Sequence, residues 1–266
     1  MKLKILVIIS FAFVYSIQVF GESGSQSALP KKKNFHLFLL AGQSNMAGRG
    51  IVEEEDLVAH PRVFALDKEG NWKPAVAPMH FDKSVAGVGL GKSFAVALAE
   101  EDESISIGLI PVAHGGSPIS SWEVGGYHDQ TKGHPYDDAI ERARGAMKEG
   151  VLKGFLWHQG ESDSRPERAE AYQANLEDLI KRFRKDLKAR KVPFVIGQLG
   201  RFPEKPWDDS RELVDTAQKQ VASESPLVGF VSSDGLTCKS DNIHFNTESL
   251  RELGRRFAKT YLEIAK

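Results

Sequence analysis

The 266-residue sequence contains a single cysteine, Cys238, so no disulfide can form within the chain. It also lacks an excess of basic residues, since 35 lysines and arginines face 36 aspartates and glutamates for a formal net charge of -1. A nucleic-acid binder would show a basic surplus, and this balance argues against that class of protein. Stability must come from a packed core, and 266 residues with 41% hydrophobic content suffice for one globular domain.

Long apolar runs are missing too, except at the N-terminus. Lys2 and Lys4 precede an apolar stretch from Ile5 to Phe20, after which small and polar residues follow. This layout is typical of a secretory signal peptide. The apolar stretch is short for a membrane span, which needs about 20 apolar residues. An uncleaved anchor is the alternative. We therefore expect a secreted or periplasmic protein with no stable membrane association after cleavage. The predicted division is a signal peptide, a linker and one domain, at residues 1–21, 22–33 and 34–266.

Apolar segments of strand length alternate with amphipathic helical segments through the remaining chain. This alternation predicts an α/β three-layer sandwich, in which a parallel sheet of about five strands has helices on both faces. The pattern predicts one long helix within Arg165–Arg190 and an irregular region beginning at Trp72.

The first apolar run, Phe35–Leu40, is followed by Ala41-Gly42-Gln43-Ser44-Asn45. A strand that ends here would place Ser44 at the carboxyl edge of the sheet, where open α/β sheets bind their ligands. A serine in this position can act as a nucleophile, and the alternative is that it only caps the next helix.

Near the C-terminus, Asp241 and His244 lie three residues apart, just before a strong helical segment. A serine nucleophile needs a base to take its proton and a carboxylate to orient that base. A turn at this spacing can present both side chains together. The alternative is a helix-capping turn with a solvated histidine.

A glycine-rich segment, Gly87-Val88-Gly89-Leu90-Gly91, precedes another predicted helix. Backbone amides at such a helix start carry partial positive charge and suit a phosphate or an oxyanion. The spacing differs from the G-x-G-x-x-G pattern, and no strand runs directly into it, which argues against a dinucleotide site.

Taken together, these segments resemble the SGNH hydrolase superfamily, and within it the branch of the sialate O-acetylesterases and the acetylxylan esterases of carbohydrate esterase family six. The resemblance rests on five blocks that occur in the family's order: Gly42–Met46, Gly87–Ala95, Gly115–Trp122, Trp157–Ser162 and Asp241–His244. It implies a flavodoxin-like domain at 34–266 that acts as a serine esterase.

The resemblance also implies roles for individual residues. The implied catalytic residues are Ser44, Asp241 and His244. The implied oxyanion donors are the backbone amides of Ser44 and Gly89, with Gly91 as an alternative to Gly89, and the side chain of Gln159. The implied substrate-binding residues are Asn45, Gly115, Gly116 and Glu161, and Glu161 is also expected to brace its loop.

Two features of the Trp157–Ser162 block leave questions open. The letter N in the superfamily's name stands for an asparagine in this block. This chain has Gln159 in its place, as the esterase branch does. His158 is a rival base, although it lacks the downstream loop that surrounds His244.

The expected function is that of a carbohydrate O-acetylesterase, with an acetylated sugar of sialate or xylan type as substrate and no cofactor. Metal is not expected either, because His114, His128 and His134 match no zinc-binding spacing. The alternatives are a lipase or lysophospholipase-like esterase of the same superfamily, a catalytically silent carbohydrate-binding domain, and a metal-dependent deacetylase.

Overall fold

A computed structural model describes residues 29–265 of the chain. The predicted signal peptide and residues 22–28 of the predicted linker lie outside the described residues. The strands are β1 (Phe35–Gly42), β2 (Val63–Leu66), β3 (Trp72–Pro74), β4 (Ser106–Pro111), β5 (Val151–His158), β6 (Phe194–Gly197) and β7 (Val228–Val231). The helices are α1 (Ser44–Ala47), α2 (Gly91–Glu101), α3 (Pro135–Ala146), α4 (Pro166–Ala169), α5 (Tyr172–Asp186), α6 (Asp209–Glu224) and α7 (Thr247–Ile264). In the part of the chain described, none of the helices combines the length and apolar character needed to cross a membrane.

All seven strands join one sheet in the order β3-β2-β4-β1-β5-β6-β7. Every neighbouring pair is parallel except β2 and β3, which are antiparallel. The chain builds the β2–β4 side first and then crosses over β1 to build the β5–β7 side. The strand order therefore reverses at β1, and such a switch point opens a crevice at the carboxyl ends of the strands.

The side chains of β1 divide the core into two layers, because successive residues of a strand point to opposite faces. Leu37 and Leu39 pack in a core with α3, α5 and α6, whereas Phe38 and Leu40 pack in another with α2 and α7. All four are at most 1% exposed, and burial of each stabilises the fold by about 1.5–3 kcal/mol. The predicted three-layer α/β sandwich is confirmed.

The helix ends follow their local sequence. Asn246 caps α7, because its side chain accepts a hydrogen bond from Ser249 N, and Asp208 caps α6 in the same way. The turn after α5 includes Lys188 in the left-handed conformation, with φ 54°, so the helix cannot continue.

Two details differ from the sequence-based expectations. The sheet has seven strands rather than about five, in part because Trp72–Pro74 forms an antiparallel edge strand instead of an irregular region. The Trp72 ring packs against the Phe35 ring, with 4.7 Å between the ring centroids. Pro74 is tolerated because an edge strand leaves the hydrogen-bonding groups on one side unpaired. The predicted long helix within Arg165–Arg190 is confirmed as α5, and Tyr172 at its start is buried with its hydroxyl donating to Gln159 O.

Candidate active site

Ser44 occupies a turn that the sheet holds rigidly. Gly42, at the end of β1, has φ 133°, and a Cβ there would overlap with the His158 carbonyl of β5. Gln43 N donates to that same carbonyl at 2.9 Å, and the single turn α1 begins at Ser44. Only glycine fits at position 42, because it combines a positive φ with this close backbone approach.

The Asp241–His244 segment is a tight turn on a short hairpin. Asp241 Oδ1 accepts hydrogen bonds from Ile243 N and His244 N, both at 2.9 Å. Between them Asn242 has φ 55°, a left-handed conformation that asparagine tolerates well. The hairpin is closed by Lys239 N, which donates to His244 O at 2.8 Å. The three-residue spacing is therefore that of a side-chain-stabilised turn.

The two segments bring three side chains into a line. His244 Nε2 lies 3.0 Å from Ser44 Oγ, and His244 Nδ1 lies 2.8 Å from Asp241 Oδ2. An ionised carboxylate can only accept, so Nδ1 carries the proton and Nε2 accepts the hydrogen bond from the serine hydroxyl. This arrangement can remove a proton from Ser44 during nucleophilic attack.

The electrostatics keep Asp241 ionised. Partial burial raises the pKa of Asp241, but the hydrogen bonds from His244 and Ile243 outweigh it and lower that pKa to about 2. The carboxylate therefore remains charged across the whole range in which histidine titrates, and it can stabilise an imidazolium at His244.

Two backbone amides next to Ser44 are available to a ligand. Within residues 29–265, no hydrogen bond uses the N–H of Ser44 or of Gly89. The Gly89 backbone packs against the turn after Ser44, since a Cβ added at Gly48 would lie 2.5 Å from Gly89 N. By contrast, Gly91 faces the core, where an added Cβ would lie 2.7 Å from Leu40 Cδ1. The packing favours Gly89 over Gly91 as a donor beside the nucleophile.

Gln159 does not face the same space. It is fully buried, and its Nε2 donates to Gln43 Oε1 at 3.2 Å, to Ser117 O at 3.1 Å and to Asp163 Oδ2. The two N–H groups of this amide thus contact three acceptors within the protein and tie together the loops beneath the site. The role of Gln159 as an oxyanion donor stays a prediction.

Three of the four predicted substrate-binding residues are also engaged inside the protein. Asn45 is 0% exposed and bonds to Glu161, whose side chain is 9% exposed. Gly115 is buried, and its N–H donates to Asp82 Oδ2 at 2.9 Å. Substrate binding by Asn45, Gly115 and Glu161 therefore stays a prediction, and bracing by Glu161 agrees with its contact to Asn45.

Gly116 lines an open groove of about 640 Å³. This groove adjoins the nucleophile turn, because Ser162 N, on its wall, donates to Gln43 Oε1 at 3.3 Å. Polar and aromatic side chains form the rest of the lining, among them Tyr127, Gln130, Arg165 and Arg168. Gly116 remains a predicted substrate-binding residue.

His158, the rival base, is fully buried. Its Nε2 donates to Gln198 O at 3.0 Å, and burial lowers its pKa. The geometry places His244, and not His158, against the Ser44 hydroxyl. Of the histidines weighed as metal ligands, His114 and His128 both contact Thr131 Oγ1, and no group of three or more His, Cys, Asp or Glu side chains that could hold a metal ion occurs within residues 29–265.

Sequence reasoning missed the polar supports of the site. Arg49 Nη2 bonds Asp82 Oδ2 at 2.7 Å, and both side chains are nearly inaccessible, at 6% and 1%. Gln43, although quoted within the nucleophile block, accepts from Gln159 and Ser162. Only adjacency to Ser44 could have indicated Gln43 and Arg49, and no pattern indicates Asp82 as a partner.

Comparisons of the sequence and the fold with known proteins point to one family. Residues 34–263 match the family described as carbohydrate esterase, sialic acid-specific acetylesterase. A probable carbohydrate esterase of Arabidopsis thaliana is 34% identical over 261 residues, which cover 89% of this chain and 93% of that protein.

Two solved structures show the same fold. An X-ray structure of an Arabidopsis thaliana protein superposes with a TM-score of 0.75 at 32% identity, covering 87% of this chain and 99% of that one. A carbohydrate acetylesterase from Xanthomonas citri gives a TM-score of 0.68 at 22% identity, covering 86% of this chain and 56% of that one. The chain therefore belongs to the sialic acid-specific acetylesterase family of carbohydrate esterases, and it is a serine esterase.

Proposed function

We propose that this protein removes acetyl groups from an acetylated carbohydrate by means of a Ser44–His244–Asp241 triad. The 3.0 Å contact between His244 Nε2 and Ser44 Oγ is the observation that carries the proposal. The charge of Asp241 and the unused Ser44 and Gly89 amides supply the remaining parts that such a reaction needs.

In the proposed reaction, Ser44 Oγ attacks the acetyl carbonyl carbon while His244 Nε2 takes the hydroxyl proton. The carbonyl oxygen becomes an oxyanion, which the Ser44 and Gly89 amides stabilise. The intermediate collapses, the imidazolium gives its proton to the departing sugar oxygen, and an acetyl-enzyme forms. Water, deprotonated by His244, then releases acetate and regenerates Ser44. No cofactor takes part in these steps.

The open groove beside Gly116 is the proposed sugar site. Tyr127 is 50% exposed there, and a tyrosine offers both an apolar face and a hydroxyl to a sugar ring. Arg165 and Arg168 also line the groove, and neither forms a salt bridge within residues 29–265. A guanidinium suits a carboxylate, so the groove favours an acidic acetylated sugar of sialate type over neutral xylan.

The proposed location is the secreted or periplasmic space, on the basis of the signal-like N-terminal sequence. Mass spectrometry of the protein from its host tests this, since a mature chain should begin near Glu22. Retention of Met1 on membrane-bound protein would favour the anchor alternative.

A substrate panel tests the activity. Acetate release is measured with O-acetylated sialic acid, acetylated xylo-oligosaccharides and aryl esters of increasing acyl length, using Ser44→Ala as the blank. We expect release from the acetylated sugars, with Arg165→Gln and Arg168→Gln raising KM for the acidic sugar only. Activity that rises with acyl length would instead support a lipase-like enzyme. A lack of turnover with binding retained would support a silent carbohydrate-binding domain.

A further inference from the structure

Asn45, the residue after the proposed nucleophile, holds the backbone on both sides of His244. Its Oδ1 accepts from Phe245 N at 3.1 Å, and its Nδ2 donates to Ile243 O at 3.3 Å. The two bonded groups flank the base in sequence, so this one amide fixes the peptide units before and after it. These bonds join parts of the chain that lie about 200 positions apart.

Glu161 determines which way that amide points. Asn45 Nδ2 donates to Glu161 Oε1 at 2.6 Å, and the Glu161 side chain is only 9% exposed. A carboxylate accepts and cannot donate, so the nitrogen must face Glu161 and Ile243, and the oxygen must face Phe245. The reversed amide would set oxygen against oxygen at Glu161 and nitrogen against N–H at Phe245.

The surroundings offer Glu161 little other stabilisation. His158 Nδ1 lies 3.9 Å from Glu161 Oε1, and His158 already donates its Nε2 proton to Gln198 O. Glu161 Oε2 is buried without a partner in the described residues. Burial of the Glu161 carboxylate with one short hydrogen bond costs free energy of folding. Its contact with Asn45 indicates that it has a role in the site.

We infer that Asn45 and Glu161 form a brace that positions His244 against Ser44, with Asn45 bonding the base loop and Glu161 orienting Asn45. Both are positioning residues, because neither lies against the reacting hydroxyl. The inference rests on the proposed triad. A brace of this kind matters for rate, since misplacement of a catalytic group by about 1 Å can cost on the order of 10²-fold.

Asn45→Asp tests the brace with almost no change in shape. It sets a carboxylate against Glu161 and against Ile243 O, so the base loop should shift. We expect kcat on a small acetyl ester to fall about 10²-fold while KM changes less than about twofold. Phosphonylation of Ser44 by an activated phosphonate should slow in parallel, because it needs the same base.

Changes at Glu161 test whether this residue acts by orienting the Asn45 amide or only by supporting the fold. Glu161→Gln keeps an acceptor for Asn45, so kcat should stay within about threefold, whereas Glu161→Leu removes it and should lower kcat about tenfold. The double variant Asn45→Asp, Glu161→Gln supplies an amide donor to the new carboxylate and should recover about tenfold over Asn45→Asp alone. Tyr136→Phe is the matched control, because it removes a part-buried hydrogen bond to Asp186 far from the triad.

Three results would overturn the brace: normal kcat in Asn45→Asp, no recovery in the double variant, or unchanged kcat in Glu161→Leu. Should Asn45→Asp fail to fold, Glu161→Leu decides alone. Ser44→Ala separates the two proposals. An active Ser44→Ala enzyme refutes the triad itself, whereas an inactive one alongside a fully active Asn45→Asp refutes only the brace.

Discussion

Ser44 is 8% exposed, whereas the Asp241 side chain is 40% exposed on a short hairpin. The Ser44 turn is held by long-range backbone packing, since β1 lies between β4 and β5 and Gly42 touches the His158 carbonyl. The Asp241–His244 turn is closed locally by two hydrogen bonds to Asp241 Oδ1, and the Asn45 side chain joins it to the Ser44 turn. The nucleophile therefore depends on backbone packing within the sheet, whereas the base depends on a local turn and on side-chain hydrogen bonds that hold this turn in place.

The largest expected effect compares the two histidines. His244→Ala removes the proposed base and should lower kcat/KM by about 10⁴–10⁶-fold while the fold is kept. His158→Ala removes a buried side chain bonded to Gln198 O, so its main cost should be stability rather than rate. Rate constants and thermal unfolding of both variants decide the matter, and the reverse pattern would refute the proposed triad.

Asp241→Asn tests the turn that carries His244. An asparagine can still accept at one oxygen, but it can donate to His244 Nδ1 and favour the wrong tautomer for a base. We expect kcat to fall by up to about 10⁴-fold at neutral pH, with the far-UV spectrum unchanged. Steady-state kinetics measure this change, and a loss under tenfold would show that His244 needs no carboxylate.

Gly42→Ala tests how far the Ser44 turn depends on its backbone packing, and Gly235→Ala is its control. Both glycines have positive φ, at 133° and 75°, but an added Cβ meets the His158 backbone at Gly42 and nothing within 4 Å at Gly235. Gly235→Ala should cost about 1–2 kcal/mol of unfolding free energy from conformation alone, and Gly42→Ala distinctly more. Urea unfolding of both compares them, and equal costs would mean that the close approach at Gly42 is unimportant.

The smallest expected effect is the pH dependence of the Asp241 contribution to stability. Its folded pKa is about 2, against an ordinary value of 3.8, so the ionised form is the one that the fold favours. That contribution is complete above about pH 4 and is lost as the pH falls towards 2. The difference in melting temperature between wild type and Asp241→Asn should therefore be constant above pH 4 and should decrease towards zero as the pH falls below 4. A difference that closes near pH 6 would assign the effect to another group.

Local chemistry explains which site features could be predicted. The Asp241 turn and the Asn246 cap depend on residues two to four positions away, so their spacing is visible in the sequence. The α/β class follows from alternating periodicity, which the strong β1 and α7 patterns carry. The edge strand Trp72–Pro74 was missed because three residues that include a proline give no strand signal.

The buried polar contacts could not be predicted in this way. Gln159, Asn45 and Glu161 have residue types that suit an oxyanion or a sugar as well as they suit a brace. Their partners lie up to 200 positions away, and the choice depends on which buried groups would otherwise lack a hydrogen bond. That requirement exists only once the strands are assembled.

The sequence by itself determined the α/β class, the identity of the three triad candidates and the family, because these depend on periodicity, local spacing and the order of short blocks. Only the tertiary structure brings His244 Nε2 within 3.0 Å of Ser44 Oγ and leaves His158 buried, and only it shows that Gln159 turns inward while Gly116 faces an open groove. The physical reason is that β1 sits between β4 and β5, so side chains from distant loops compete for one edge. Burial then favours those arrangements in which most of the polar atoms find a hydrogen-bond partner.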